Sequence, residues 1–294
     1  MAPRLTPAAR QPMSPIHISL AVLVAVIWGV AFVVSKIGLE SFTPPQLTAL
    51  RFVVAAAAAI WLPRPKIPWP MLVAIGLTIF TGQFLLQFFG IANGMPAGLT
   101  AVVSQTQALF TVLFAVVVLG DRPSRRQLVG MLTAFVGLLM IGLTIGGTVT
   151  LFGFALTLGS AISWAVGNVL VKRLERVEML HLMVWASLVP PLPALAISFI
   201  IDGPESLWAA LATVSWSGIV APIYLGIVAS VFAYAIWGNL LQRYSTGTVA
   251  PLALLSPCVA AVCFCVCLWR TVWPIKDRRY RIYASRSRNC FGPD

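Results

Sequence analysis

Nine separate stretches of this chain are apolar and close to the length that crosses a lipid bilayer. A helix rises about 1.5 Å per residue, so about 20 apolar residues cover the roughly 30 Å of hydrocarbon in a membrane. Short connections join the stretches, which predicts a compact bundle of helical hairpins. The predicted spans are residues 16–35, 46–62, 69–91, 97–119, 127–145, 151–171, 180–201, 216–241 and 247–269.

The composition excludes a water-soluble domain. Hydrophobic residues make up 59% of the 294 positions and charged residues 10%, whereas soluble proteins average about 45–50% and about 25%. We therefore expect an all-α polytopic membrane protein. The net charge of +12 does not indicate nucleic-acid binding, because the basic residues of such a chain first report the orientation of its loops.

The basic residues predict a cytoplasmic N-terminus. Cytoplasmic loops of membrane proteins carry an excess of Lys and Arg. Eleven of these residues lie before the first span and after the second, fourth, sixth and eighth spans, whereas the loop after the seventh span carries Asp202 and Glu205. The eleven are Arg4, Arg10, Arg64, Lys66, Arg122, Arg125, Arg126, Lys172, Arg173, Arg176 and Arg243.

A recurring residue spacing indicates an internal duplication. Trp28 of the first span lies eight residues before Lys36, and Trp164 of the sixth span lies eight residues before Lys172. Five spans separate the corresponding elements. An odd number of spans between two copies reverses the direction of the second copy, which predicts inverted repeats, the architecture of many secondary transporters.

Eight segments between residues 16 and 262 carry a family resemblance. They are IWGVAFVVSKIGL (27–39), LRF (50–52), RPKIP (64–68), GMPAGLTAVVSQTQALFT (94–111), LGDR (119–122), SWAVGN (163–168), AYAIWGNLLQRY (233–244) and VAPLALLSP (249–257). In these segments the chain resembles the EamA branch of the drug/metabolite transporter superfamily.

The resemblance implies ten helices in two inverted repeats of five, with both termini cytoplasmic, in the inner membrane of a bacterial cell. It implies export of small metabolites, either amino acids or derivatives such as O-acetylserine and cysteine, by alternating access through a central cavity. A different small metabolite or drug is the alternative cargo. The corresponding division is a cytoplasmic segment at 1–15, a first repeat at 16–145, a four-helix second repeat at 151–269 and a basic tail at 270–294.

The tail departs from the family pattern. The first repeat continues from LGDR into an apolar span, whereas the second gives LWRT (268–271) and then a polar segment, which together hold seven of the twenty basic residues. If each codon from about Cys263 onward is read from its second base, the segment can become GERFG, a counterpart of LGDR. One hypothesis is therefore a frameshifted coding sequence whose product inserts without transporting, and the other is a lineage-specific tail.

Uncharged polar and aromatic side chains inside the spans are the candidates for substrate binding. A polar group in hydrocarbon is costly unless it faces protein or a water-filled cavity. Amides can hydrogen-bond the amine and carboxylate of a small zwitterion, and aromatic faces attract an ammonium. The candidates are Trp28, Phe32, Gln83, Gln87, Gln105, Trp164, Asn168, Tyr234 and Trp237.

The alternative for these side chains is ordinary packing, because amides in membrane helices also hydrogen-bond neighbouring helices. Arg51 lies inside the second span and is interpreted as a packing or snorkelling charge, with Glu40 as its candidate partner. Pro190, Pro191 and Pro193 predict a bend in the seventh span.

The acidic residues argue against a buried proton relay and against catalysis. All eight Asp and Glu lie outside the spans or at their edges, so facilitated diffusion and exchange stay open beside proton antiport. A membrane enzyme would need a nucleophile and base or a metal cluster inside the spans. The alternating Cys263, Cys265 and Cys267 lie in an apolar run without nearby His or carboxylates. We expect no catalytic residue, metal or cofactor, and the expected partners are a small solute and the lipid bilayer.

Overall fold

The computed structural model describes residues 13–119, 149–174 and 177–244, with short pieces at 129–130, 133, 136–137, 140, 252, 255–260 and 262–263. The regular structure of these residues is helical, and no strand occurs among them. Six of their helices are long and apolar enough to cross a membrane, and a shorter one is apolar as well. The chain is therefore an all-α polytopic membrane protein, as its composition predicts.

Seven of the predicted spans are confirmed as helices, with ends that differ by no more than a few residues. The predicted spans 127–145 and 247–269 lie outside the described residues apart from short pieces, and so do the N-terminal segment and the tail. The helices are α1 (Pro15–Gly38), α2 (Pro44–Ala56, extended by the 3₁₀ turn Ala57–Ile60), α3 (Trp69–Ala92), α4 (97–119), α5 (Leu151–Lys172), α6 (Met179–Asp202), the short α7 (Ser206–Ala212) and α8 (216–243).

Hydroxyl side chains cap the first turns of α5 and α8. The Thr150 hydroxyl accepts a hydrogen bond from the amide of Gly153 at 3.0 Å, and the Ser215 hydroxyl accepts one from the amide of Gly218 at 3.1 Å. The first turn of a helix leaves four amide donors without helical partners. A side-chain oxygen just before the helix accepts from one of these donors, so that donor has a hydrogen-bond partner.

π-helical segments interrupt α3 and α8, at Gly76–Gly82 and Tyr224–Phe232. Such segments are rare and are found frequently at functional sites. Residues of both segments, Ile79 and Ala229, line the same cavity. The irregular parts of two helices therefore face a common interior space.

Two further helices are broken inside the bundle. α4 is interrupted at Gln105, and α6 is interrupted at residues 187–190 before its second part begins at Pro191. The bend predicted from the prolines is thus confirmed. Non-helical backbone inside a membrane is tolerated where it is buried in protein or lines a cavity, so the position of each break is informative.

An aromatic core joins α2 to α3 beside the cavity. The ring of Phe52 lies with its centroid 4.9 Å from that of Phe80 and 5.4 Å from that of Phe84. Leu182 of α6 and Leu225 of α8 are fully buried in the same cluster. Four helices therefore share one packed core, which fixes the side chains on the adjoining cavity wall.

Three exposed tryptophans lie near helix ends. Trp61, Trp208 and Trp216 are 78%, 73% and 79% exposed, and they lie just after the α2 turn, in α7 and at the start of α8. Tryptophan is enriched where a membrane meets water because its ring is apolar and its N–H is polar. This placement fits a bundle whose helix ends reach the two membrane surfaces.

Candidate functional site

A cavity of about 370 Å³ lies between the helices. Every described span contributes to its wall, and all nine residues singled out from the sequence line it. The structure therefore brings together residues that are spread over five helices. Their placement is α1 for Trp28 and Phe32, α3 for Gln83 and Gln87, α4 for Gln105, α5 for Trp164 and Asn168, and α8 for Tyr234 and Trp237.

Aromatic rings from α1 and α8 form one side of the cavity. The ring centroid of Trp28 is 5.5 Å from that of Tyr234 and 5.2 Å from that of Trp237. The indole N–H of Trp28 donates to the carbonyl of Ala229 at 3.1 Å, in the π segment of α8. The indole is thereby held in place, and its face and those of its neighbours are available to apolar or cationic parts of a solute.

Amide and hydroxyl groups form the polar part of the wall. Gln83 and Gln87 are four residues apart on α3, so they share one face, and both are buried. The side-chain oxygens of Gln83 and Ser104 are buried and make no hydrogen bond to any described residue. A buried polar atom without a partner is costly, so these two oxygens are acceptors that lack a donor among the described residues.

The amide of Asn168 is partly occupied by a neighbouring helix. Its Nδ2 lies 3.5 Å from the hydroxyl of Thr111 on α4, at the outer limit of a hydrogen bond. This contact matches the packing alternative, although Asn168 also lines the cavity. Asn168 thus contacts α4 and also lines the cavity.

The break in α4 lies on the cavity wall. Ser104 ends the first part of the helix, and Gln105 lies at the interruption. Gln107 and Ala108 of the second part line the cavity as well. The non-helical backbone of α4 is therefore found where a membrane protein can tolerate it, beside an interior space.

Arg51 is buried and packed, as one of its two sequence interpretations expects, but it neither snorkels to the surface nor has the expected partner. Glu40 is not its partner, because Glu40 is exposed beyond the end of α1 whereas Arg51 is 3% exposed and lines the cavity. The Arg51 guanidinium donates to the hydroxyl of Ser230, from Nε at 3.3 Å and from Nη2 at 3.1 Å. A charge inside a predicted span is the signal that could have identified it as a site residue.

Other wall residues carried weaker signals. Ser35, Met179, Met183 and Ser256 line the cavity but were not singled out, because serine and methionine are common in membrane helices. Asn239, an amide in the eighth predicted span, is exposed instead. Hydropathy shows that such a residue is inside a span, but it does not show which side of the helix the residue occupies.

The described wall is neutral apart from Arg51. In the part of the chain that the structure describes, no group of three or more His, Cys, Asp or Glu is arranged to hold a metal ion. Amides, hydroxyls, aromatic faces and one guanidinium can bind and orient a polar solute. Nothing in this arrangement of described residues supplies a nucleophile paired with a base.

Known proteins are similar to this chain in sequence and in fold. The sequence model of the EamA-like transporter family matches twice, over residues 15–143 and 151–272. The "Probable amino-acid metabolite efflux pump" of Salmonella typhimurium (strain LT2) is 42% identical over 260 residues, covering 86% of this chain and 87% of that protein. Its namesake in Escherichia coli (strain K12) is 41% identical over 247 residues, covering 82% and 83%.

Two more distant matches cover a similar share of the chain. The "Probable terminal-alkyne amino-acid exporter" of Streptantibioticus cattleyicolor is 27% identical over 258 residues, covering 83% of this chain and 82% of that protein. A solved crystal structure superposes with a TM-score of 0.62 at 21% identity, covering 86% of this chain and 87% of that one. At this identity the crystal structure shows a shared fold alone.

Proposed function

Because this chain belongs to the EamA-like transporter family, we propose that it exports small amino-acid metabolites across the inner membrane of a bacterial cell. O-acetylserine and cysteine are the first candidate substrates. The names of the two relatives that are 41–42% identical support this class of substrate. The family is one of transporters, and the wall described above is suited to binding rather than to catalysis.

The central cavity is the observation that carries the proposal. Its volume of about 370 Å³ falls within the roughly 300–1,000 Å³ of ordinary small-molecule sites. Its wall combines amide and hydroxyl groups with indole and phenol rings, which suits a solute that has an amine, a carboxylate and a short side chain. All nine candidate residues line this space, and we propose that they contact the solute.

Alternating access is the mechanism that we propose for this cavity. The two family matches follow one another along the chain, and α3 and α8 each carry a π segment next to the cavity. Two related halves that rock about a central site would expose it to one face of the membrane and then to the other. The basic loops support a cytoplasmic N-terminus, so the solute would enter from the side that holds Arg64 and Lys66.

The test is efflux from bacterial cells that express the full chain. Cells loaded with O-acetylserine or cysteine should release it faster than cells that carry the empty vector. A second version, with codons from about Cys263 onward read from the second base, tests whether the tail matters. Equal export by the two versions would remove the hypothesis that the altered tail abolishes transport, and export by the second version alone would support it. Absence of export by both versions across a panel of amino acids and derivatives would overturn the proposed function.

A further inference from the structure

Arg51 places a positive charge on the cavity wall that no described residue neutralises. The described carboxylates, Glu40, Glu178, Asp202 and Glu205, lie at or beyond helix ends. A cation held away from bulk water without a counter-ion is costly, and charges inside membrane helices mark functional sites for that reason. The wall therefore offers a position for an anion.

Neutral groups hold the guanidinium in one orientation. Its Cζ lies 3.8 Å from the ring centroid of Phe84, and its Nε and Nη2 donate to the hydroxyl of Ser230. That hydroxyl donates its own hydrogen to the carbonyl of Leu225 at 2.9 Å. A hydroxyl has a single hydrogen, so Ser230 acts toward Arg51 as an acceptor, and one edge of the guanidinium is fixed against it.

The remaining edge of the guanidinium makes no hydrogen bond to a described residue. A guanidinium has five N–H donors, and the bonds to Ser230 use one on Nε and one on Nη2. The other N–H groups, on Nη1 and Nη2, have no acceptor among the described residues. One N–H from each Nη forms the parallel pair that arginine uses to bind both oxygens of a carboxylate.

Acceptors for an ammonium line the same cavity. The oxygens of Gln83 and Ser104 are without a described partner, and Gln83 precedes Phe84, on which Arg51 stacks. An ammonium has three donors and no acceptor, so it is the charged group that suits unpartnered oxygens. The donors of Arg51 and these acceptors thus suit, in chemical type, the two charged ends of a small zwitterion.

We propose that Arg51 binds the carboxylate of the solute while Gln83 and Ser104 receive its ammonium group. The cavity then selects molecules that carry a free carboxylate beside an amine. Esters, amides and decarboxylated amines of similar size bind poorly, because they leave the guanidinium without a counter-ion. This inference rests on the proposed function and names the chemical feature of its substrates that the site recognises.

The test measures binding to the purified full chain in detergent, followed by tryptophan fluorescence. Trp28, Trp164 and Trp237 line the cavity, so their emission should report an occupied site. The probes are L-cysteine and O-acetyl-L-serine, each against its methyl ester. Wild-type protein should bind each free acid about 10- to 100-fold more tightly than the ester, the factor expected for hydrogen bonds to a charged group.

Substitutions at Arg51 separate recognition from packing. Arg51→Gln should remove the preference for the free acid by weakening acid binding about 10- to 100-fold, while ester binding is kept. Arg51→Lys keeps the charge and should keep part of the preference. The matched control is Arg64→Gln, because Arg64 also stacks on an aromatic ring, 4.0 Å from the centroid of Trp69, but is exposed and does not line the cavity.

The outcomes distinguish this inference from the proposed function. An equal loss of acid and ester binding in both Arg51 variants would show a packing role and overturn the inference, as would unchanged selectivity in Arg51→Gln or failure of every free acid to bind wild-type protein. Normal export of the free acids by Arg51→Gln cells would overturn the inference and leave the exporter proposal standing. If binding depended on Arg51 but no free acid were exported, the inference would stand and the exporter proposal would be overturned.

Discussion

Two helix crossings in this bundle are built alike but differ in one side chain. At one, Gly226 of α8 packs on the backbone of Arg51 in α2, and at the other, Gly76 of α3 packs on the backbone of Ala186 in α6. A Cβ at these glycines would lie 2.6 Å from the carbonyl of Arg51 and 2.8 Å from that of Ala186. The backbone approach is thus shared, whereas one crossing carries a guanidinium and the other a methyl group.

The hydroxyls of the two π segments show the same contrast. Thr81 donates to the carbonyl of Gly76 at 3.2 Å, and Ser230 donates to the carbonyl of Leu225 at 2.9 Å, in each case five residues back. Ser230 also accepts from Arg51, whereas Thr81 makes no bond to a described cation. The helical framework is repeated, but the charge is present at one crossing. A solute whose two ends carry opposite charges requires such an asymmetric site.

The largest expected effect comes from removing one wall group from each half. Gln87→Ala in α3 and Trp164→Ala in α5 should each reduce export about 10-fold or more, the factor for about 1.4 kcal/mol of lost binding, while membrane insertion is kept. Efflux and the amount of protein in isolated membranes are the measurements. The controls are Asn239→Ala and Trp216→Ala, because both residues are exposed. Normal export by both wall variants would place the site elsewhere.

The crossing glycines should be the next most sensitive positions. Gly226→Ala and Gly76→Ala each force a methyl group against a neighbouring backbone, and overpacking of this kind costs about 1–3 kcal/mol. Thermal unfolding in detergent should show the loss in both variants. Carboxylate selectivity should fall in Gly226→Ala and stay in Gly76→Ala, because the first displaces Arg51. Gly98→Ala is the control, since a Cβ at Gly98 meets nothing within 4 Å.

The sequence predicts the tryptophans of the cavity wall better than it predicts Arg51. Trp28 and Trp164 were identifiable because a repeated spacing and a membrane setting both single them out, and the structure places both on the cavity wall. Their contact with substrate stays a prediction. The membrane spans were also predictable from the sequence, because length and hydropathy determine them.

The role of Arg51 could not be predicted, because it depends on which side of α2 the residue occupies. Its partner Ser230 lies 179 residues further along the chain, and its stacking on Phe84 depends on how α2 packs against α3. Local sequence contains neither contact.

Removing a hydroxyl from each π segment should sharpen the contrast between the crossings. Ser230→Ala deletes the acceptor that orients Arg51, and we expect affinity for the free acids to fall about 3- to 10-fold, the range for a typical lost hydrogen bond. Thr81→Val removes the corresponding hydroxyl where no arginine is bound, so affinity should stay at the wild-type value. Titration of both variants with cysteine tests this. Equal losses would mean that the hydroxyls stabilise the helices alone.

Ser104→Ala should have the smallest effect. The direction of the change in unfolding temperature separates a binding role from a packing role. The hydroxyl of Ser104 is buried without a described partner, a state that costs about 1–3 kcal/mol. The empty protein should therefore unfold at the same temperature or a higher one after the substitution. Affinity for cysteine, measured by titration, should nevertheless fall about 3-fold, because one acceptor for the ammonium is gone.

Ser187→Ala is the matched control for Ser104→Ala and should behave in the opposite way. Ser187 is also buried, but its hydroxyl already donates to the carbonyl of Met183 at 2.8 Å and does not line the cavity. Its loss should lower the unfolding temperature slightly and leave solute affinity unchanged. If Ser104→Ala instead lowered stability and left affinity unchanged, Ser104 would be a packing residue. Of the two unpartnered oxygens among the described residues, that of Gln83 would then be the one left to accept from the ammonium.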